Sequence, residues 1–288
     1  MMRFTKYAAA VAAVGALVLA GCSGGGAAPE EPAVQEDVTF EAGTTMAKLH
    51  DAGKITVGTK FDQPLFGLMG LDGAPEGFDV EIAKIIAGEL GISPENIEWV
   101  EAVSANREPF IENGEVDIVV ATYTINDKRK EVVSFAGPYY IAGQDLLVLS
   151  GNPDGIKGID DVKGKKVCSV TGSTSAQNLK DAGVEVIETD TYSNCLTPLR
   201  QGEVVAVSTD NVILAGLADQ NPGEFEVIDN PFTEEPYGVG LKKDDADFRN
   251  FINDTLEKSF DDGSWAKAWE STAGKVLSTP TPPTLDRY

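Results

Sequence analysis

The sequence predicts an α/β fold divided into two similar lobes whose strand ends face one another across a cleft. Apolar β-branched runs of the kind buried strands make alternate with helical patterns through the body of the chain. A short stretch also repeats: Pro109-Phe110-Ile111-Glu112-Asn113-Gly114-Glu115-Val116-Asp117-Ile118-Val119 resembles Pro198-Leu199-Arg200-Gln201-Gly202-Glu203-Val204-Val205-Ala206-Val207, with one residue dropped before the glycine. In each copy a helix stops at glycine and a buried strand follows, ending in threonine and polar side chains. Open α/β sheets bind ligands at such strand ends. Finally, 288 residues are enough for two ordinary domains or one bilobal core.

The N-terminus sets the compartment. Arg3 and Lys6 precede an apolar run over residues 8–20, too short to span a bilayer and laid out like a signal peptide, so residues 1–21 are expected to be absent from the mature chain. Leu19-Ala20-Gly21-Cys22 looks like the lipobox of bacterial lipoproteins, in which Cys22 takes a diacylglyceryl group; the alternative is an ordinary cleaved signal with a stray cysteine. Two acyl chains anchor a protein stably where one does not. Residues 22–44 are rich in Gly, Ala, Pro and Glu with little to bury, which reads as a flexible tether. A net charge of −23 disfavours nucleic acid and anionic membrane surfaces as partners. With Cys22 assigned to lipid, Cys168 and Cys195 remain as an even pair in an exported chain, and a disulfide there would stabilise by about 3–4 kcal/mol in the chain-entropy model. Two buried free thiols are the alternative. A catalytic cysteine is disfavoured, because the single histidine, His50, stands close to the tether.

Lys54-Ile55-Thr56-Val57-Gly58-Thr59 reads as the first strand, with the loop Lys60-Phe61-Asp62-Gln63-Pro64 at its carboxyl end. Phe78, Ile82, Ile85, Ile86 and Leu90 keep helical spacing, with Asp79 near the start and Gly91 as a stop. After the strand Ile97-Glu98-Trp99-Val100, Ser104 is the natural cap of the next helix, which puts Arg107 at its third position. Val116-Asp117-Ile118-Val119-Val120 is a buried parallel strand leading into Ala121-Thr122-Tyr123-Thr124-Ile125-Asn126-Asp127-Lys128-Arg129. There Asn126 suits an N-cap and Arg129 falls at the third helical position, where a cation is disfavoured by roughly 0.3–1 kcal/mol. Two arginines at the unfavoured ends of two helices invite a reason. One reading makes Lys128, Arg129 and Lys130 a solvated face and pairs Arg107 with Glu101 or Glu108. The other makes Arg129, beside free helix amides and strand-end hydroxyls, a carboxylate clamp.

Gln144-Asp145-Leu146-Leu147-Val148-Leu149 follows a Gly-Pro-Tyr-Tyr turn and crosses into the second lobe. Lys165-Lys166-Val167-Cys168-Ser169-Val170 is a strand, Thr171-Gly172-Ser173-Thr174-Ser175 a hydroxyl-rich loop, and a helix begins over residues 176–181. That loop either cradles an anion on exposed amides or is a plain turn with a serine cap. A further buried strand ends at Asp210, which either caps the helix over residues 211–219 or faces a ligand cation. Glu235-Pro236-Tyr237-Gly238-Val239-Gly240 is the return crossing. Phe248, Phe251, Ile252, Thr255, Leu256, Ser259 and Phe260 then hold one face of a long helix that Gly263 ends. Trp265 and Trp269, four apart on a last short helix, read as core packing, and residues 276–288, rich in Pro and Thr, as an extended tail.

Residues 57–67, Glu76-Gly77-Phe78-Asp79-Val80, residues 104–107, 117–133 and 135–140, 172–175, and Thr209-Asp210 together resemble the polar amino-acid-binding solute-binding proteins of ABC importers, closest to the glutamate-binding lipoproteins. The resemblance covers roughly residues 45–275. It implies a type II periplasmic-binding-protein-like fold, each lobe a mixed sheet flanked by helices, with a two-strand hinge. Residues 45–143 plus 237–275 would form the first lobe and 144–236 the second. By the same resemblance Arg129 takes the ligand α-carboxylate with Thr124 and the amides around Thr174 and Ser175, while Asp210 and the Thr122 region hold the α-ammonium. Arg107 lies where glutamate/aspartate-type members place an arginine for the side-chain carboxylate, and Lys60 adds a second positive group. The sequence departs at Gln63 and Ser104, where many relatives carry an aromatic that stacks on the ligand.

The implied protein is a monomer, exported and anchored through Cys22 to the outer face of the bacterial cell membrane. It would deliver L-glutamate, or alternatively glutamine or aspartate, to a membrane permease. No metal or organic cofactor is expected, because no His/Cys cluster or nucleotide fingerprint is present in the sequence. A dehydratase-like enzyme on the same fold needs a general acid in the cleft, where only a carboxylate is available. A sensory domain needs a transmembrane segment and a signalling domain after the second lobe, and neither is read here. A structural lipoprotein would show no small-molecule thermal shift.

Overall fold

The computed structural model describes residues 31–288; residues 1–21, read as a signal peptide, and Cys22, read as the lipid anchor, lie outside the described residues. Helix α1 (Thr45–Ala52) starts at Thr44, whose hydroxyl accepts from Ala47 N, and ends at Gly53 in the left-handed region. Strand β1 (Ile55–Thr59) follows, then the small antiparallel sheet β2 (Asp62–Gln63), β3 (Gly67–Met69) and β4 (Pro75–Glu76). Helix α2 (Phe78–Glu89), strand β5 (Ile97–Glu101), helix α3 (Arg107–Asn113), strand β6 (Ile118–Val119), the short α4 (Asp127–Lys130) and the long strand β7 (Val133–Ala142) complete the first pass.

After Gly143 the chain enters a second sheet with β8 (Gln144–Leu149), β9 (Lys166–Val170), α5 (Thr174–Asp181), β10 (Glu185–Thr189), α6 (Leu196–Arg200), β11 (Ala206–Asp210), α7 (Asn211–Gln220) and β12 (Phe225–Val227). It returns through β13 (Glu235–Lys242) to α8 (Ala246–Asp262) and α9 (Ser264–Ser271).

The two sheets are built alike. The first has the order β5-β1-β6-β13-β7 and the second β10-β9-β11-β8-β12. In each, three parallel strands come first and the chain places the second and third strands on opposite sides of the first. The fourth position is filled, antiparallel, by the strand arriving from the other lobe: β13 in the first sheet and β8 in the second. The short sequence repeat is therefore one part of a complete topological repeat, with α3–β6 matching α6–β11. Strands β7 and β13 pair over their length, from Glu235 opposite Ala142 to Lys242 opposite Val133, and form the two-strand hinge.

Around the hinge sits an aromatic cluster. Phe66, Phe78, Tyr139, Tyr237, Trp265 and Trp269 are all fully buried. Trp265 and Trp269 stack at 6.3 Å, and Trp265 Nε1 donates to Tyr139 O at 2.9 Å, so both tryptophans are core, as their spacing suggests. Cys168 and Cys195 form a disulfide that ties β9 to the turn before α6.

Two local expectations need correction. Ser104 is not a helix cap: residues Ser104–Asn106 form a 3-10 turn, α3 begins only at Arg107, and the Ser104 hydroxyl accepts from Lys60 Nζ at 2.9 Å. The described part of the tether, residues 31–44, is not free either. Gln35 N donates to Gly88 O at 2.9 Å, where a Cβ on Gly88 of α2 would lie 2.5 Å from Ala33 O, so glycine admits this backbone, and Phe40 packs edge-on against His50 of α1 and Phe251 of α8. The C-terminal tail has no regular structure but is fixed along the edge strand β7. Asp286 N donates to Gly137 O at 2.7 Å, Phe135 N donates to Tyr288 Oη at 2.8 Å, and the Tyr288 ring lies beneath Lys130 and Arg249. These contacts cover strand hydrogen-bonding groups that an open edge would expose.

Candidate functional site

The carboxyl ends of the parallel strands in both sheets point into one cleft, and three loops from each lobe meet there. In the first lobe these loops carry Lys60 after β1, Arg107 after β5, and residues 121–129 after β6. In the second they carry residues 171–175 after β9, Tyr192 after β10, and Asp210 at the end of β11. The lobes are closed on one another. A Cβ on Gly172, whose φ is +78°, would lie 2.8 Å from Ala105 Cα, so only glycine admits this approach of the two backbones.

Between them lies a cavity of about 10 Å³ lined by Ser104, Arg107, Thr122 and Thr124 from one side and Ser173, Thr174, Ser175, Tyr192, Thr209, Asp210 and Ile213 from the other. That is room for about one water. A larger cavity of about 500 Å³ adjoins it on the side of Arg129, Asn126 and Lys180. A solute larger than a water therefore has to part the lobes or displace the lining side chains to enter the inner cavity.

Of the residues singled out in the sequence, Arg107, Thr122, Thr124, Thr174, Ser175 and Asp210 line the inner cavity, and Arg129 lines the outer one. Lys60 and Gln63 stand one layer behind: Lys60 Nζ donates to the lining Ser104, and Gln63 Oε1 accepts from the lining Thr122 hydroxyl at 2.9 Å.

Arg129 is held from three sides. The Asn126 side chain accepts from Arg129 N at 2.8 Å, capping α4 as the sequence predicts. Its guanidinium donates to Glu108 Oε1 (2.9 Å), Thr124 O (2.7 Å) and Gly172 O of the other lobe (3.2 Å). With five N–H groups on an arginine, two are left to engage a ligand. Arg107 donates only to the carbonyls of Ser104 (3.3 Å), Ala121 (3.1 Å) and Thr122 (3.3 Å). Both guanidinium groups lie over the Tyr123 ring, at 4.4 Å for Arg107 and 5.0 Å for Arg129. That aromatic face lets two like charges sit side by side in a dry site.

Thr122 has φ +44°, a left-handed conformation that costs a non-glycine residue about 1–3 kcal/mol. Its backbone N–H donates to Asp79 Oδ2 at 2.7 Å, and Gln63 holds its hydroxyl. Asp79 is held in turn by the Tyr139 hydroxyl at 2.7 Å. The strained turn aims the carbonyls of Ala121 and Thr122 at Arg107.

Asp210 does not cap α7 with its side chain. Oδ2 accepts from Tyr237 Oη at 2.6 Å, while Oδ1 is buried without a partner. An orphaned carboxylate oxygen in a closed cleft is suited to a cation from outside the chain. Beside it the Thr174 hydroxyl donates to Glu235 Oε2 at 2.9 Å and approaches the Thr124 hydroxyl to 3.5 Å across the cleft.

Burial sets the electrostatics. Desolvation, then the neighbouring Arg107 charge, brings the Lys60 ammonium down to about 7. Burial, then Arg129, lowers Arg107. Burial, then Glu235, pushes Asp210 up to about 7, and burial does the same to Asp79 against the opposing bonds from Tyr139 and Thr122. Charged groups are thus held in a site that penalises them, and a ligand of complementary charge relieves the penalty.

Sequence reasoning missed Tyr123, Tyr192, Ser173, Thr209 and Ile213 as site residues. Ser173 and Thr209 sit inside stretches already recognised, so their signal was adjacency. Tyr192 and Ile213 reach the cavity only through the tertiary fold and carry no local signature. Among the described residues no cluster of His, Cys, Asp or Glu is arranged to hold a metal ion.

Fold and site together define a two-lobed protein with a charged cleft between the lobes suited to a small solute. Residues 55–273 match the family model of bacterial extracellular solute-binding proteins, family 3, and the chain belongs to that family. It is 43% identical over 247 residues to the Glutamate-binding protein GluB of Corynebacterium efficiens, covering 82% of this chain and 84% of that one. It is 40% identical over 230 residues to the ABC transporter glutamine-binding protein GlnH of Bacillus subtilis, covering 78% and 83%. Among solved structures, an ancestral arginine-binding protein bound to arginine is similar with a TM-score of 0.71 at 37% identity, covering 76% of this chain and 98% of that one.

Proposed function

We propose that this chain is the amino-acid-binding component of an ABC importer and that its ligand is L-glutamate. The observation that carries the reading is the charge count of the cleft. Three buried cations, Lys60, Arg107 and Arg129, converge on it; Arg107 bonds only carbonyls and Lys60 only a hydroxyl, while Asp210 offers one orphaned oxygen. Glu108 pairs with Arg129 at 2.9 Å, and with it counted the cleft holds three cations and two carboxylates, which a ligand with two carboxylates and one ammonium brings to neutrality. A neutral amide side chain leaves a buried cation without a counter-charge.

In this reading Arg129 takes the α-carboxylate with its two remaining N–H groups, helped by the Thr124 hydroxyl and the amides of Thr174 and Ser175 at the start of α5. Asp210 and the Thr122 region take the α-ammonium. Arg107, with Lys60 behind it, takes the side-chain carboxylate. The cations come from one lobe and the carboxylate from the other, so a bridging ligand favours closure, and the closed form is what a permease can recognise. The named glutamate- and glutamine-binding relatives support an amino-acid ligand and make glutamine the competing candidate.

The chain is read as exported and held at the outer face of the cell membrane through Cys22, with residues 45–143 plus 237–275 and residues 144–236 as the moving lobes. A calorimetric titration of the chain from residue 31, stripped of carried-over ligand by unfolding and refolding, tests the substrate. Tight binding of glutamate with much weaker binding of glutamine and aspartate is expected. Preference for glutamine would keep the transport role and remove Arg107 as a carboxylate partner.

A further inference from the structure

One contact between the lobes lies outside both cavities. Asp62, on β2 of the first lobe, accepts through Oδ2 from the backbone N–H of Tyr192 at 2.9 Å and of Ser193 at 3.4 Å, both in the second lobe. Among the described residues Asp62 has no ion-pair partner within 4.0 Å, so its charge is met in the closed form by the amides of the opposite lobe. The hairpin that bears it is pressed against that lobe: a Cβ on Gly216 of α7 would lie 2.5 Å from Pro64 O.

The receiving amides are fixed as well. Cys195 closes the single 3-10 turn Ser193–Cys195 and is joined by the disulfide to Cys168 on β9, which ties the turn to the sheet of the second lobe. Tyr192 also lines the inner cavity, so the same residue walls the site and receives the carboxylate.

We propose that Asp62 is a closure latch, a positioning residue that biases the lobes toward the closed form without touching the solute, and that the Cys168–Cys195 disulfide holds its receptor in place. The inference rests on the reading that solute binds between the closing lobes. Opening that interface returns Asp62 and the two amides to water, so the latch contributes only the difference between charge-assisted bonds across the interface and hydration. For such a bond that difference corresponds to about tenfold in the closing equilibrium. Because Asp62 does not line the cavity, the factor is the same for every solute the protein accepts, and it falls on the dissociation rate.

The test uses Asp62→Ala and the near-isosteric Asp62→Asn in the chain from residue 31. One spin label is placed on the exposed Lys163 and one on the exposed Glu112. Two quantities are read: the distance distribution between labels, with and without L-glutamate, and the dissociation rates of glutamate and glutamine. The expected result is a distribution shifted toward longer distances and dissociation faster by about tenfold, by the same factor for both solutes. An unchanged distribution with unchanged rates in either folded variant would overturn the latch, and so would a factor that differs between the two solutes. If the parent chain bound neither solute, the substrate reading would fail on its own, while the ligand-free distances would still decide the latch. A folded Cys168→Ser/Cys195→Ser variant is expected to dissociate faster as well; an unchanged rate would overturn the positioning role of the disulfide.

Discussion

The two lobes share one strand order and differ in what they place at their strand ends. After the first, second and third parallel strands the first lobe presents Lys60, Arg107 and Arg129, and the second presents the hydroxyls of residues 173–175, the ring of Tyr192 and the carboxylate of Asp210. Equivalent loops thus carry a cation, a cation and a cation on one side, and a hydroxyl nest, an aromatic wall and an anion on the other. The scaffold is present twice, but the zwitterionic solute proposed above needs complementary rather than repeated chemistry. In the proposed reading the division also accounts for closure: with the cations on one lobe and the free carboxylate oxygen on the other, a bridging solute would contribute energy that neither lobe can collect alone.

The sharpest way to break this comparison is to remove the cation of the third loop. Arg129→Ala is expected to abolish binding detectable by calorimetry while circular dichroism shows an intact fold; near-normal affinity in the folded variant would mean that the first lobe does not supply the carboxylate clamp. A second break uses the disulfide, which only the second lobe contains among the described residues. Replacing Cys168 and Cys195 by serine is expected to cost about 3–4 kcal/mol in denaturant unfolding. Hydrogen exchange should quicken in β9, β10 and β11 far more than in β1, β5 and β6, and equal quickening in both sheets would show that the lobes are not separately stabilised.

Arg107→Ala sharpens the contrast between loops within one lobe. It is expected to weaken glutamate by about 2–3 kcal/mol, the worth of a charge-assisted pair, and glutamine by less than about 1 kcal/mol. Equal losses, read by titration calorimetry, would count against its role at the side chain.

A last effect, graded with pH, falls on the carboxylate of the second lobe. Burial, then Glu235, pushes Asp210 up to about 7, so below that pH a solute ammonium must displace a proton to reach the carboxylate. Affinity is expected to fall by up to about tenfold per unit between pH 7 and pH 5, with protons released on binding. Stability without solute should run the other way. Asp79 and Asp210 have folded values raised from 3.8 to about 7, so their contribution is present below 3.8 and is lost as pH rises through 7. Lys60, lowered from 10.5 to about 7, contributes above 10.5 and loses that contribution as pH falls toward 7. The melting temperature of the solute-free protein is therefore expected to drop between pH 5 and 7.5, and a melting temperature that rose instead would place the raised carboxylates elsewhere.

The sequence by itself determined the alternation of strands and helices, the two crossings, the disulfide pair and the buried tryptophans. Each follows from local chemistry: β-branched runs that need burial on both faces, glycine stops, the pair of cysteines left once Cys22 is set aside, and i, i+4 aromatic spacing. It also named most residues of the cleft, because the strand–loop–helix pattern marks where side chains emerge at strand ends. Even there the reading of Ser104 failed: its propensity as a cap is real, but Lys60, brought alongside by the pairing of β1 with β5, claims the hydroxyl instead.

Tertiary structure alone decided the rest. Whether Asp210 caps its helix or faces the cleft depends on Tyr237, which arrives from the return strand to bind one oxygen and leave the other free. That Arg107 and Arg129 share the Tyr123 ring depends on α3 and α4 converging on it from different parts of the chain. Tyr192 and Asp62 meet only because the lobes close, and the packing of residues 31–44 and of the C-terminal tail depends on surfaces that exist only after folding. Local propensity is a property of neighbours in sequence, whereas partners for buried charges are chosen among neighbours in space, and in this protein the binding cleft is made almost wholly of the second kind.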